Sequence, residues 1–185
     1  HVTQVLSSDT LEIPSAERFS LLTYNVAGLP EPLSGSTPSV NNPKISNLLN
    51  RYEVVLVQED FAYHQGLSSK ARHPFQSSPM PPRLRFQSDG LNRYSVFPSS
   101  SVTRHRWQRC HGYLFGANDC LADKGFSVSR LELADGQSVD VYNLHADAGD
   151  DLNDAAARNS EFEQLAKTIE TYSEGQAVIV AGDTN

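Results

Sequence analysis

The sequence predicts a layered α/β or α+β domain, and three observations carry that reading. A strand, a short helix and a buried strand follow one another between residues 19 and 57. Asp135-Gly136 joins two runs of strand character, and a long helical pattern over 151–172 leads into the apolar run 177–181. Alternation of strands and helices in this order is how stacked layers share a core, and 185 residues suffice for one such domain.

Each element has its own local cause. Residues 1–18 carry weak patterning and read as an irregular lead-in. Phe19-Ser20-Leu21-Leu22-Thr23-Tyr24-Asn25-Val26 reads as a strand entering a loop, because Gly28 and Pro30 follow at once. Residues 31–43, rich in Ser, Pro, Gly and Asn, have the composition of a loop. From Pro43 to Asn50, Ile45, Leu48 and Leu49 share one face of a short helix. Val54-Val55-Leu56-Val57 is a buried strand that delivers Gln58-Glu59-Asp60 at its C-terminal end. Pro79, Pro81 and Pro82 mark 62–88 as a loop. Segments near 91–97, 102–108, 125–133 and 138–144 read as strands, the last two joined by a hairpin turn at Asp135-Gly136. Ala155, Phe162, Leu165, Ala166 and Ile169 fit a helix over 151–172, closed by Gly175. The strand Ala177-Val178-Ile179-Val180-Ala181 delivers Gly182-Asp183-Thr184-Asn185.

Bulk properties exclude several classes. With 38% hydrophobic and 20% charged residues the chain is neither disordered nor fibrous. Its net charge of −7 disfavours affinity built on a basic surface, although bound divalent cations can offset carboxylates locally. No apolar run reaches the length of a membrane span. The first residue is His1, consistent with a removed secretory signal or with a chosen expression boundary. Cys110 and Cys120 flank a short segment containing Gly112, Gly116 and Asn118, and are either a disulfide or two thiols. The even count, the close spacing and the missing Met favour a disulfide and export.

The chemistry lies at strand ends. Asn25, Glu59 and the pair Asp183 and Asn185 each close a predicted strand, and Val139–Leu144 ends in His145 with Asp147 just beyond. Each alone is more often a turn residue, a solvated carboxylate or a structural histidine. Gathered on one sheet edge they suit phosphoryl transfer: a hard carboxylate ligand for Mg²⁺ or Ca²⁺, amides that orient oxygens, and a histidine that donates a proton.

In this order, Thr23-Tyr24-Asn25-Val26, Val57-Gln58-Glu59, Asn143-Leu144-His145 and Ala181-Gly182-Asp183-Thr184-Asn185 resemble the endonuclease/exonuclease/phosphatase superfamily over nearly the whole chain. Arg158 to Leu165 resemble the helix that precedes the G-D-x-N strand there. The resemblance implies a four-layer α/β/β/α sandwich of the deoxyribonuclease I type. It also implies Glu59 as metal ligand with Asn25 beside it, and His145 on the scissile phosphate. Asp183 and Asn185 would orient base and water, with Asn25 among the catalytic groups. The cofactor is a divalent metal, Mg²⁺ first, with Ca²⁺, Mn²⁺ and Zn²⁺ as alternatives, and water attacks the phosphodiester in line.

Asp119-Cys120-Leu121-Ala122-Asp123-Lys124-Gly125-Phe126 is similar to a segment of secreted bacterial sphingomyelinases and phospholipases C, although the second cysteine is placed differently. Lys124, Asn143 and Asp147 are expected substrate contacts. Arg83, Arg85, Arg93, Arg104, Arg106 and Arg109 cluster against Asp89 and could meet anionic phospholipid headgroups or a nucleic-acid backbone, or could be a solvated strand face. Trp107 and Phe115 could touch lipid but are more often core residues. A secreted phospholipid headgroup phosphodiesterase is favoured over a nuclease, and over a catalytically dead lipid-binding module, which would not need this residue set.

The superfamily carries a serine-aspartate-histidine element beyond the G-D-x-N strand, and its histidine is the general base. Residues 1–185 therefore read as the N-terminal portion of one catalytic domain, incomplete without its C-terminal part. The expectation is that the remainder binds noncovalently as a second chain after a nick or split, the other reading being an expressed or ordered fragment. Residues 1–185 alone should then show no hydrolysis and should expose apolar surface. Turnover by these residues at the rate of the whole enzyme would refute this.

Overall fold

The computed structural model describes residues 18–31, 33–82, 87–112 and 119–185. The lead-in 1–17, Arg83, Arg85, Phe115, Gly116 and Asn118 lie outside the described residues. Two four-stranded sheets form the centre. The first orders β1 (Leu21–Asn25), β2 (Val54–Gln58), β4 (Asn92–Ser95) and β3 (Phe75–Gln76) from edge to edge. The second orders β5 (Thr103–Arg106), β6 (Gly125–Glu132), β7 (Ser138–His145) and β8 (Ala177–Asp183). Each sheet holds one parallel pair joined by a crossover helix: β1 and β2 through α1 (Pro38–Leu49), β7 and β8 through α3 (Leu152–Tyr172). The remaining pairs are antiparallel.

Period-two alternation assigns the faces. Val55 and Val57 of β2 pack with Leu49 and Ile45 of α1, while Val54 and Leu56 meet Val139, Val141 and Leu131 of the second sheet. On the second sheet Phe126, Val128, Tyr142 and Leu144 pack against Leu165 and Ile169 of α3. The result is α1, sheet, sheet, α3, the layering that the resemblance implied. No helix of the described residues is long and apolar enough to cross a membrane.

Where the structure departs from the sequence reading, tertiary contact explains it. The first helix begins at Pro38, not at 43, with Pro38 in its first turn where no N–H partner is needed. Its Asn42 and Ser46 are fully buried, so polar composition misled there. Within 62–88 a short helix, α2 (His64–Ser68), seats Leu67 in the core, and β3 adds two residues to the sheet. The hairpin between β6 and β7 is present, its loop tightened into a 3-10 turn at Ala134–Gly136 with Gly136 in left-handed backbone. Cys110 and Cys120 form a disulfide with Cα atoms 5.5 Å apart.

Two buried polar groups pin the sheets directionally. Asn143 on β7 is fully buried, donates to the carbonyls of Val57 (3.0 Å) and Asn92 (3.2 Å), and accepts from Gln58 Nε2 (2.7 Å). Gln58 Nε2 also donates to Thr23 Oγ1 on β1 (3.1 Å). Asn143, expected as a substrate contact, is therefore an inter-sheet tie. Arg93 on β4 likewise crosses to the second sheet, donating to Ser129 Oγ, the Val141 carbonyl, and both oxygens of Ser127. Burial pushes its guanidinium down to about 9.

Asn143→Ala strands a buried donor on Gln58 and two carbonyls, and unsatisfied buried groups cost roughly 1–3 kcal/mol each before relaxation. A loss of about 2–4 kcal/mol is expected, read as a lower urea midpoint with unchanged m-value.

Candidate active site

Parallel pairing inside each sheet places strand ends side by side. Asn25 pairs in register with Gln58, next to Glu59, and His145 pairs with Asp183. The inter-sheet faces of the four strands change character along their length. Leu21, Val54, Leu56, Val139, Val141 and Ile179 form the deep apolar part. Thr23, Gln58 and Asn143 follow as a layer of neutral donors and acceptors. Asn25, Glu59, His145 and Asp183 form the rim.

The rim residues converge. Asn25 Nδ2 donates to Glu59 Oε1 (3.0 Å) and to Asp183 Oδ2 (2.9 Å), bridging the sheets. His145 Nε2 lies 4.0 Å from Glu59 Oε1 and 3.9 Å from Asp183 Oδ2. Asn185 N donates to Asp183 Oδ1 (3.0 Å), and Asn185 Nδ2 to the Ala146 carbonyl (2.9 Å). The cluster thus holds Asn25, Glu59, His145 and Asp183 directly, with Asn185 bracing Asp183. Asn25, expected also to ligate a metal, turns its Oδ1 to the backbone N–H of Ala27 (2.9 Å) and faces the carboxylates as a donor.

Backbone strain gathers at the same place. Ala27, Glu59 and Asn185 have positive φ (47°, 57° and 55°), a region costing side-chain-bearing residues of order 1 kcal/mol or more each. Among the described residues these are all the non-glycine cases, and all border the cluster. Gly182, the glycine of G-D-x-N, has φ +148°, and a Cβ there would sit 2.2 Å from the Leu144 carbonyl oxygen. Only glycine lets β8 approach β7 closely enough to set Asp183 beside His145.

Electrostatically the cluster is short of positive charge. Burial, reinforced by nearby Lys124 and opposed by Asp183, pushes the His145 imidazole down to about 3, so it is neutral at physiological pH. Burial works upward on Asp183, but the donors Asn25 and the Asn185 N–H, with His145 and Lys124, hold it below the usual carboxylate value. Glu59 and Asp183 keep partly exposed oxygens on either side of one amide. Two hard oxygen donors separated by a neutral amide are of the chemical kind that suits Mg²⁺ or Ca²⁺.

Other expected residues sit elsewhere. Lys124 is mostly buried behind the site, paired with Asp119 and donating to the Ala146 carbonyl (3.1 Å). Asp147 is fully buried, accepting from the His111 N–H (2.6 Å), which leaves it no substrate to touch. Among the described residues the arginines of the cluster are turned to separate partners: Arg93 is buried, Arg104 is locked to Asp89 and the Ser78 carbonyl, and Arg106 pairs with Asp123 at 3.2 Å. Trp107, read as core or lipid contact, is core: its Nε1 donates to the His145 carbonyl (2.7 Å), a support the sequence reading missed. Among the described residues His111, Asp151 and Asp154 also bring possible metal-ligand atoms within 4.8 Å of one another. Asp151 and Asp154 form the capping box of α3 and Asp154 holds His111 (2.7 Å), at the helix end whose dipole disfavours a cation.

The family model for "Endonuclease/Exonuclease/phosphatase family 2" matches residues 86–185. Sphingomyelinases of Mycobacterium bovis and Mycobacterium tuberculosis are 44% identical over 174 residues, 90% of this chain, and the chain spans 34% of their length. Sphingomyelinase C from Streptomyces griseocarneus has the same fold (TM-score 0.77, 21% identity, 90% of this chain and 64% of that one). So does a Staphylococcus aureus beta toxin mutant with bound magnesium ions (TM-score 0.74, 19% identity, 90% and 64%).

A lowered imidazole pKa has a thermodynamic sign. Between pH 6.5 and about 3 the unfolded chain binds a proton on His145 that the folded chain refuses, so stability falls as pH drops across that window. In metal-free protein His145→Gln should flatten this acid-side loss in thermal melts. An imidazole titrating near 6.5 by NMR would contradict the burial argument.

Proposed function

We propose that this chain, which belongs to endonuclease/exonuclease/phosphatase family 2, is part of a divalent-metal-dependent phosphodiesterase cleaving a phospholipid headgroup ester, with sphingomyelin the foremost substrate. The observation that carries the reading is the convergence of Glu59, Asn25, His145 and Asp183 on one sheet edge, in a chain 44% identical to named sphingomyelinases. Glu59 holds the metal, Mg²⁺ first. When bound, the ion would neutralise charge developing on the phosphoryl oxygens.

The chain's own groups supply position and hydrogen bonds. Neutral His145 presents an N–H at Nε2 to a phosphoryl oxygen, a stabilisation that strengthens as charge builds in the transition state. Asn25 fixes the Glu59 and Asp183 carboxylates relative to each other, and Asn185 fixes Asp183 from the other side. Water attacks phosphorus in line; its O–P bond forms as the bond to the lipid alkoxide oxygen breaks, giving phosphorylated headgroup and lipid alcohol. We ascribe the proton acceptor to a serine-aspartate-histidine element in the C-terminal remainder of the domain, covalently continuous or bound as a second chain. The chain's span of about two thirds of the solved relatives supports this, as do Tyr24 and Val180, exposed on the outer strands β1 and β8. The Cys110–Cys120 disulfide supports an exported, oxidising setting.

In the whole protein, Glu59→Gln should lower Mg²⁺-dependent release of phosphocholine from sphingomyelin vesicles by at least about 100-fold, the scale of losing one transition-state electrostatic contact. Plasmid DNA in the same buffer should stay closed. Parent-level turnover by the variant, or by the parent in EDTA, would sink the metal assignment; nicking without lipid hydrolysis would make the protein a nuclease.

A further inference from the structure

Behind His145, two carboxyl groups face each other without a donor between them. Asp147 leaves β7 two residues after His145 and is fully buried; Glu161, on α3, is 1% exposed. The Asp147 N–H donates to Glu161 Oε2 (3.1 Å), which brings the two carboxyls close enough for the charge on each to act on the other. Yet Asp147 Oδ1 and Glu161 Oε1, both inaccessible to solvent, have no donor among the described residues. Two ionised carboxylates cannot occupy such a position without severe repulsion and desolvation.

The surrounding charges do not relieve the pair. Lys124 acts on the pair by its charge but is already joined to Asp119. Arg158 on α3 donates to the carbonyls of Asp147 (3.0 Å) and Gly149 (2.8 Å), not to either carboxyl. His111 offers Asp147 its backbone N–H while its ring is held by Asp154. Asp119 adds negative charge. A proton on one carboxyl would supply the donor that these oxygens lack.

We propose that Glu161 is a positioning residue that works as a neutral acid, sharing its proton with Asp147 to hold the segment that carries His145. The peptides of that segment are suspended from all sides. The His145 carbonyl accepts from Trp107, the Ala146 N–H donates to the Asp183 carbonyl (2.9 Å), and the Ala148 N–H donates to Asp119 Oδ2 (2.8 Å). The Asp147–Glu161 contact is the tie in this set that loss of a proton breaks. Burial drives the Glu161 carboxyl up to about 8, with the Asp147 charge adding to it, so the proton is held at neutral pH and released in mildly alkaline solution. The catalytic consequence rests on the phosphodiesterase reading; the proton itself does not.

The sign follows from linkage. Between pH 4.5 and about 8 the folded chain keeps a proton that the unfolded chain has released, so stability falls as pH rises through that window. Glu161→Gln donates an amide N–H to Asp147 at every pH, and Asp147→Asn donates to Glu161. Each should make the decline of Tm between pH 5 and 8 shallower. In the whole protein, parent kcat should drop about tenfold from pH 7 to 9, as for a group titrating near 8, while Glu161→Gln changes less than about twofold. Parent-like Tm profiles in both variants would overturn the shared proton. A flattened Tm profile with an unaltered alkaline limb of kcat would overturn the positioning role. Should neither protein hydrolyse lipid, the function reading fails, and the His145 ring resonances decide the proposal instead. They should shift near pH 8 in the parent and not in Glu161→Gln, and the absence of that difference would overturn it.

Discussion

The directional tie through Asn143 and Gln58 is the constraint on which the rest of this structure depends. Half of the rim, Asn25 and Glu59, belongs to one sheet, and the other half, His145, Asp183 and Asn185, to the other. Apolar packing between the sheets is strong but tolerant of sliding, because it is roughly proportional to area and has no preferred direction. An amide that must meet Val57, Asn92 and Gln58 at once allows one arrangement. Arg93 repeats the device from β4, its four acceptors all neutral oxygens of the second sheet. Buried networks of this kind fix geometry more than they add net stability, and geometry is what a site divided between two sheets requires.

From that tie outward the inter-sheet faces grade from hydrocarbon through amide to carboxylate, and the grading explains the electrostatics. His145 lies one pleat beyond Asn143 on the same face, still deep enough to be desolvated, so its ring is neutral. Glu59 and Asp183, at the open rim, keep solvent-exposed oxygens. A neutral ring beside two carboxyl groups joined only by an amide leaves room for the cation and phosphate proposed above. The left-handed backbone at Ala27, Glu59 and Asn185 points the same way, since such strain persists only where surrounding structure imposes it.

Two strand ends were legible in the sequence because β2 and β8 are unbroken apolar runs, and the polar residue that stops each run marks the rim. Val54 to Val57 stopping at Gln58-Glu59 and Ala177 to Ala181 stopping at Gly182-Asp183 are the clear cases. What could not be read was direction. Asn143 and His145 are both polar, both buried and two residues apart, and nothing local tells which of them ties the sheets and which faces the carboxylates. The arginines failed for the same reason: spacing alone could not reveal that Arg93 turns into the sandwich while Arg104 closes on Asp89. Ser39, Asn41 and Asn42 have loop composition, so the first helix reads short in sequence; its added turn buries Pro38 and Asn42, which composition does not show.

One signal was present in the sequence and carried more than its local reading. Along α3, Ala157, Glu161 and Leu165 recur at helical spacing on one buried stripe, so the stripe contains a carboxyl where a hydrocarbon would pack without penalty. Burying a charged carboxylate is so unfavourable that such a residue must be neutral, paired or bound to a cation. No cationic side chain among the described residues reaches its free oxygen, and the carboxyl of Asp147 is set against it. That leaves neutrality. A buried acid on a helix face, where no cation reaches it, is therefore in itself a chemical statement about protonation. Here the carboxyl that shares the proton lies two residues along the chain from the histidine at the rim.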